Sequence, residues 1–204
     1  MNEQITPTGA RTTQFADGLP RRSWTVAEFE KLATAGIFTG NDVNGERLEL
    51  LGGEIVPMSP KGPRHEVVRT ELTHFWYRSR ASTYKIANET PLTLGDDTQP
   101  EPDLVVFPAD LSAPDLTADA ILLVVEVADT SYDKDTQTKA QLYASAGIQD
   151  YWVINAATLV TTIFRNPSAS GFQSRTKHTP DQTVTPLRAP ELALALNELG
   201  LAEK

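Results

Sequence analysis

Apolar residues in the first half of the chain recur with the spacing of two helices and one hairpin. Thr25 begins the capping-box pattern Thr-Val-Ala-Glu, which predicts a helix that starts there and ends near Gly36. Residues 64–80 are apolar at every third or fourth position, which predicts a second helix. Residues 47–51 and 54–56 flank a Gly-Gly pair, and this pattern predicts a β-hairpin because glycine tolerates the positive φ angles of a tight turn.

The second half of the chain is dominated by short apolar runs that predict strands. Residues 121–127 form the most hydrophobic run, which favours a central position in the sheet. A short strand pair is expected within residues 84–94, a buried strand at 103–107, and a helix over 135–146. Further strands are predicted at 150–155, 159–165, 171–178 and 183–187, and a short closing helix at 192–199. This order indicates an α/β (α+β) protein with a mixed sheet flanked by helices and additional hairpins.

Length and composition narrow the class of protein further. A chain of 204 residues fits one domain, which we assign to residues 23–204, and residues 1–22 are predicted to be a flexible tail. The formal net charge of −9 argues against nucleic-acid binding through bulk positive charge, so any such contact requires a local patch. The chain has no cysteine, which excludes disulfides, thiol nucleophiles and cysteine-ligated metal sites.

Several familiar signatures are absent from the sequence. No secretory signal is visible, and no apolar run approaches the ~18 residues of a membrane span, so we expect a cytoplasmic protein without membrane contact. The chain lacks a phosphate-binding Gly-Lys-Ser/Thr loop and a Gly-x-Ser-x-Gly elbow. His65 begins a zinc-protease-like pattern, but Arg69 stands where the second histidine is required.

Two carboxylates stand out because they occur in apolar surroundings. Asp103 opens a predicted buried strand, and Glu126 lies inside the most hydrophobic one. A carboxylate in such a place must be neutralised, paired or bound to a cation. If the two lie on adjacent strands ~4 Å apart, they would repel by ~4 kcal/mol at an effective dielectric constant of 20, and a divalent cation such as Mg²⁺ would relieve this. Alternatively, Asp103 bonds to backbone amides and Glu126 pairs with a buried arginine.

The order of several separated motifs resembles one known family. From about residue 24 to residue 200, the chain is similar to the Uma-type family of "putative restriction endonucleases" in the PD-(D/E)XK nuclease superfamily. This resemblance implies a restriction-endonuclease-like fold with a four-stranded mixed core sheet and an active site where two central strands diverge. The motifs that carry it are Arg47–Val56, Met58–Pro60, His65, Pro102–Asp103, Glu126–Asp135, Lys139, Tyr143 and Gly147–Ile154.

The resemblance also implies roles for individual residues. Asp103 and Glu126 would bind Mg²⁺, with Mn²⁺ as a substitute and the carbonyl of Val127 as a further ligand. Glu49 matches an additional acidic position of the family. Lys139 would orient the attacking water or stabilise the charge that develops on the phosphorus centre.

One position departs from the superfamily pattern. Ala128 stands two residues after Glu126, where a lysine is usual, and the matching lysine is Lys139 on the following helix. The alternative for Lys139 is an exposed pair with Asp135, four residues earlier. Tyr143, one turn further on, is either a wall of the site or part of the core.

A local cluster of basic residues is the best candidate for a DNA contact. A helix start attracts phosphate, and the cluster surrounds the predicted start of the second helix; for each residue alone, a solvated helix face is the simpler interpretation. Its members are His65, Lys61, Arg64 and Arg69. By analogy with two-fold nucleases we also expect a homodimer, with Trp24, Trp76, Tyr151 and Trp152 either at its interface or in the core.

The function expected from the sequence is Mg²⁺-dependent hydrolysis of DNA phosphodiester bonds by an endonuclease of restriction type. The alternative is a catalytically inactive protein that keeps the nuclease fold for a binding or regulatory role. The charge of −9 and the alanine at position 128 favour this alternative.

Overall fold

A computed structural model describes residues 21–38, 47–79, 83–113 and 116–201 of the chain. These residues group into two compact units. The first contains the described residues up to Met58 together with Gly95–Gln99, and the second contains Ser59–Leu94 and the described residues from Pro100 onwards. The predicted flexible tail lies almost entirely outside the described residues, and the single-domain assignment stays a prediction.

The first unit contains helix α1 (Val26–Thr34) and a hairpin. The predicted capping box is present, because the hydroxyl of Thr25 accepts from the amide of Glu28 and the Glu28 carboxylate accepts from the amide of Thr25. The chain leaves the helix through Gly36, whose φ of 73° suits glycine. The start and end of α1 are therefore as predicted.

The hairpin of the first unit consists of β1 (Leu48–Leu51) and β2 (Glu54–Pro57). Gly52 and Gly53 form its turn with φ angles of 58° and 83°, which confirms the hairpin predicted from the Gly-Gly pair. Leu50 is fully buried and packs with α1, so the hairpin contributes to the core of this unit.

The second unit is built on a six-stranded mixed sheet with the order β3-β4-β5-β6-β7-β8. Strands β5 and β6 are parallel, and all other neighbours in the sheet are antiparallel. The expected α+β class is confirmed, although the sheet has six strands where the resemblance implied four in its core. The strands are β3 (Tyr84–Asn88), β4 (Leu104–Pro108), β5 (Leu123–Ala128), β6 (Asp150–Asn155), β7 (Thr161–Ser168) and β8 (Gly171–His178).

The central strand β5 is buried on both faces, which explains its continuous apolar sequence. One set of alternate residues packs with helix α2 (Pro63–Ser79), and the other set packs with the helical segment that follows β5. Val125 belongs to the first set, and Val124 and Ala128 to the second. Glu126 lies between Val124 and Ala128 on the second face, so its carboxylate points towards that helical segment.

The helical segment after β5 has a π-helical turn in its middle. It runs through α3 (Tyr132–Lys134), the π turn Asp135–Lys139 and α4 (Ala140–Ser145). The predicted helix over 135–146 is confirmed in type, but it begins three residues earlier. The π turn was not predicted, and both of its end residues are buried. Such turns occur frequently at functional sites.

Two local predictions are wrong. Residues 84–94 hold only β3, because β3 pairs with β4 and the following loop bonds to Pro100 through the amide of Leu92. No continuous helix covers 192–199. There the apolar positions 192, 194 and 196 recur with period two, which suits a strand. The segment accordingly forms 3₁₀ turns on either side of β10 (Leu194–Ala195), which pairs with β9 (Thr183–Val184).

Candidate active site

Strands β4 and β5 bring the two predicted carboxylates together. Their antiparallel register pairs Leu104 with Val125, so one step further Asp103 stands opposite Glu126. Both residues are buried, with 4% of each exposed. Asp103 also accepts a hydrogen bond from the amide of Val127, from N to Oδ2 at 2.8 Å. The alternative prediction, that Asp103 bonds to backbone amides, therefore holds for Oδ2.

Glu126 is paired with a buried lysine and a buried tyrosine. The Nζ of Lys139 donates to Oε1 of Glu126 at 2.9 Å, and the hydroxyl of Tyr143 donates to the same oxygen at 3.1 Å. Lys139 is 3% exposed and Tyr143 is fully buried. The alternative of an exposed pair between Lys139 and Asp135 is wrong, because the π turn carries both side chains into the interior. The partner of Glu126 is a lysine, not the arginine that we considered.

Asp103 is paired with two basic side chains, one from the first turn of α2 and one from the loop before it. The Nε2 of His65 lies 3.0 Å from Oδ1 of Asp103, and the Nζ of Lys61 lies 3.3 Å from the same oxygen. Burial opposes ionisation, but these partners and the backbone amide outweigh it and hold the pKa of Asp103 below its usual value, with His65 contributing most. Asp103 is therefore a carboxylate in the folded protein at neutral pH.

The basic cluster predicted for DNA is largely engaged with carboxylates. Arg69 bonds to Glu66 and lies 3.5 Å from Glu89, while Lys61 lies 2.8 Å from Glu89. Arg64 donates from Nε to the carbonyl of Ala156 at 3.0 Å. Three buried donor atoms of the cluster have no hydrogen-bond partner of acceptable geometry, namely Nζ of Lys61, Nδ1 of His65 and Nε of Arg69. The structure thus brings three of the four residues together around Asp103 and Glu89.

Asp135 is an acidic residue of this region that the sequence interpretation missed. It is 2% exposed, and its Oδ2 accepts from the hydroxyl of Ser131 at 2.5 Å. Burial raises the pKa of Asp135 above its usual value, although the charge of Lys139 and the Ser131 hydroxyl oppose this shift. The only sequence signal for Asp135 is that it precedes Lys139 by four residues, and in a regular helix such a pair would lie on the solvent-exposed face. The π turn changes the burial of both.

Glu89 was also missed. It follows β3 with a φ of 49°, which is uncommon for a residue other than glycine, and its amide donates to the carbonyl of Asp103 at 3.2 Å. Its position beside Asp103 depends on the register between β3 and β4. No local sequence pattern encodes that register.

Two other predicted residues have different surroundings. Glu49 lies in β1 opposite Val56 and is 1% exposed; it belongs to the first unit. Val127 contacts Asp103 through its amide, and the ligand role of its carbonyl stays a prediction.

Asp103 and Glu126 offer carboxylate oxygens, which are the type of ligand that Mg²⁺ prefers. Within the described ranges, no three His, Cys, Asp or Glu side chains form a cage that could hold a metal by themselves. Mg²⁺, however, is usually held by one or two carboxylates together with substrate phosphates and water, rather than by a protein cage. Asp103, next to the first residue of β4, and Glu126, inside β5, provide two buried carboxylates on neighbouring strands.

Comparison with known proteins agrees with this architecture. Two buried carboxylates on neighbouring strands of a mixed sheet, with a lysine bonded to one of them, match the arrangement that the sequence resemblance implies. The Uma2 family, described as "Putative restriction endonuclease", matches residues 26–197. The chain belongs to this family.

A solved structure shows the same fold. It is described as "a putative nuclease belonging to DUF820 from Anabaena variabilis ATCC 29413". The TM-score is 0.66 at 21% sequence identity, and the match covers 86% of this chain and 96% of that chain. No curated protein matches the sequence. No helix in the described part of the chain has the length and apolar character needed to cross a membrane.

Proposed function

We propose that the protein is a metal-dependent endonuclease of restriction type that hydrolyses phosphodiester bonds in DNA. The observation that carries the proposal is the pairing of Asp103 and Glu126 across β4 and β5, with the buried Lys139 bonded to Glu126. Membership of a family described as "Putative restriction endonuclease" supports the same reaction.

The proposed metal is Mg²⁺, with Mn²⁺ as a substitute. Asp103, Glu126 and the carbonyl of Val127 would hold it, and Glu49 is the additional acidic residue that the family resemblance implies. When bound, the ion would supply Lewis-acid stabilisation of the charge on the phosphate oxygens.

The remaining steps are assigned to the protein's own side chains. Lys139 would place a positive charge beside the attacking water or the phosphate as negative charge develops. Tyr143 fixes the oxygen of Glu126 that Lys139 also contacts. His65 holds the carboxylate of Asp103 in place through Nε2. Because all five side chains are buried, water is largely excluded and each charge interaction is stronger than at the surface.

We further propose that the protein acts on DNA as a homodimer in the cytoplasm. The basic cluster at the start of α2 (His65, Lys61, Arg64 and Arg69) would contact phosphates. Of the four aromatic residues considered for a dimer interface, Trp76, Tyr151 and Trp152 are at most 1% exposed in the core and are therefore excluded. Trp24 is partly buried in the first unit and stays a candidate.

Cleavage of supercoiled plasmid tests this function without knowledge of a target sequence. We expect nicked and linear DNA with Mg²⁺ or Mn²⁺, no products with a chelator, and at least ~100-fold slower cleavage by Asp103→Asn. Equal cleavage by wild type and Asp103→Asn would contradict the proposal, since it would place the activity elsewhere.

One observation favours a second candidate function. Both carboxylates already have cationic partners within the protein, Lys139 for Glu126 and Lys61 for Asp103. A nuclease fold with an internally neutralised site could serve as a binding or regulatory protein. Binding of DNA by wild type without cleavage of DNA or RNA, with either metal, would favour this candidate.

A further inference from the structure

The ammonium of Lys61 lies between two carboxylates of different loops. Its Nζ is 2.8 Å from Oε1 of Glu89, which follows β3, and 3.3 Å from Oδ1 of Asp103, which precedes β4. Two carboxylate oxygens at such distances from one cation define a position that favours positive charge. In this structure a side chain of the protein fills that position.

The oxygens of Asp103 are both engaged. Oδ1 faces Lys61 and His65, and Oδ2 accepts from the amide of Val127. Oδ1 thus has two cationic neighbours and Oδ2 has one donor, so a divalent cation that binds Oδ1 must replace Lys61 or His65. The Val127 amide is fixed by β5, and the His65 side chain is 6% exposed at the start of α2.

Lys61 is the partner that can leave with the smallest rearrangement. Its side chain is 15% exposed, more than that of His65 or Asp103, and its Nζ makes no hydrogen bond of acceptable geometry. Glu89 lies closer to the ammonium than Asp103 does, so Lys61 can move off Asp103 and keep an acidic partner.

Prolines restrict the backbone of the loop that carries Lys61, so the proposed movement is assigned to the side chain. Pro60 and Pro63 flank this short loop and restrict its φ angles. The four-carbon stem of Lys61 provides the freedom that the backbone lacks.

We propose that Lys61 is a built-in cation that occupies the metal-binding oxygen of Asp103 in the metal-free protein, and that a divalent cation binds by displacing its ammonium towards Glu89. The inference rests on the proposed function, since it takes Asp103 as a metal ligand. It adds a determinant of metal affinity that neither the sequence pattern nor the family membership assigns.

Calorimetric titration of the full chain with Mn²⁺ tests the displacement. Because the competing charge at Asp103 is removed, Lys61→Met should bind Mn²⁺ at least ~10-fold more tightly than wild type. The matched control is Lys177→Met, which removes one exposed lysine charge from β8 of the same unit. It should bind within about two-fold of wild type, since exposed charges are strongly screened. Thermal melting of each variant establishes that it is folded.

Acetylation of lysines provides a second measurement on the wild-type protein. Mass spectrometry should show slow modification of Lys61 without metal and at least ~10-fold faster modification with Mn²⁺, because the freed ammonium is more accessible and less strongly paired. In Asp103→Asn, Lys61 should react at the fast rate with or without Mn²⁺. An unchanged rate for Lys61 in wild type on addition of saturating Mn²⁺ would overturn the displacement.

The outcomes separate this inference from the proposed function. If wild type and Lys61→Met bind Mn²⁺ equally and Asp103→Asn does not bind it, the inference is wrong and the proposed metal site stands. If neither wild type nor Lys61→Met binds Mn²⁺, both are overturned.

Discussion

The two halves of the candidate site neutralise their carboxylates in different ways. Glu126 receives Lys139 and Tyr143 from the helical segment after β5, and the lysine side chain is 4% exposed. Asp103 receives Lys61 from a loop, and that side chain is 15% exposed. The Glu126 half is a buried hydrogen-bonded network, whereas the Asp103 half includes an ionic contact whose lysine side chain is partly exposed and whose Nζ makes no hydrogen bond of acceptable geometry.

This difference suggests that the halves have separate tasks. A buried lysine that is hydrogen-bonded to a buried carboxylate is costly to remove, because the remaining charge has no compensation. The Lys61 ammonium makes no hydrogen bond of acceptable geometry, so its ionic contact contributes less than a hydrogen-bonded pair. We therefore expect the Glu126 half to fix the geometry of the site and the Asp103 half to exchange its cation.

The largest expected effect is on stability when each lysine is removed. Lys139→Met should lower the free energy of unfolding by about 3–5 kcal/mol, because it leaves the Glu126 carboxylate buried beside a methionine. Lys61→Met should cost about 1–2 kcal/mol, since Asp103 keeps His65 and the backbone amide. Urea unfolding at neutral pH measures both. Similar losses for the two variants would remove the distinction between the halves.

A double variant sharpens this result. In Glu126→Gln/Lys139→Met neither charge of this buried pair is left, so we expect at least half of the loss seen in Lys139→Met to be recovered. Additive losses in the double-mutant cycle would mean that the two side chains do not stabilise each other.

A smaller effect is expected from the tyrosine of the Glu126 half. Tyr143→Phe removes a fully buried hydroxyl from a charged acceptor and should cost about 1.5–3 kcal/mol. The control is Tyr132→Phe, whose hydroxyl meets the neutral hydroxyl of Thr162 and should cost about 0.5–1.5 kcal/mol. The comparison fails if Tyr132→Phe is the more destabilised variant.

The smallest effect is a difference in the pH dependence of stability. The pKa of Asp103 is lowered in the folded state, so its contribution is present above the unfolded value of ~3.9 and is lost as the pH falls through the folded value. The pKa of Asp135 is raised, so its contribution is present below ~3.9 and is lost as the pH rises through the folded value. The two carboxylates therefore act in opposite directions.

The free energy of unfolding, measured between pH 3 and pH 6 for wild type and for the two Asp→Asn variants, tests this difference. Relative to wild type, Asp103→Asn should become less stable as the pH rises, and Asp135→Asn should become more stable. If the stability difference from wild type changed with pH in the same direction for both variants, the opposite pKa shifts would be contradicted.

Much of the fold could be predicted because local patterns encode it. The capping box at Thr25, the hairpin at Gly52–Gly53 and the apolar run of β5 each determine their element from neighbouring residues. The helix predicted over 192–199 is wrong, because three alternating leucines are too short a pattern to distinguish a strand from a helix. Residues 84–94 form one strand and not two because β3 pairs with β4, and a local sequence pattern does not show which strand is the partner.

The candidate site divides in the same way. Asp103 and Glu126 stand out in sequence because a carboxylate in an apolar strand is unusual. Their partners depend on tertiary structure, and the burial of Lys139 follows from a π turn that helical periodicity does not predict. Glu89 reaches Asp103 only through the pairing of β3 with β4.

Plasmid cleavage by two carboxylate variants is the most direct test of the central claim that Glu126 belongs to a metal-dependent catalytic site. Glu126→Gln keeps an acceptor for Lys139 and Tyr143, so it should remain folded and cleave at least ~100-fold more slowly than wild type with Mg²⁺ or Mn²⁺. Asp150→Asn is the matched control, because Asp150 on β6 is equally buried but is bonded to Arg165 and Trp152. It should lose stability and keep its cleavage rate where it is folded. Cleavage by Glu126→Gln at the wild-type rate would contradict the account.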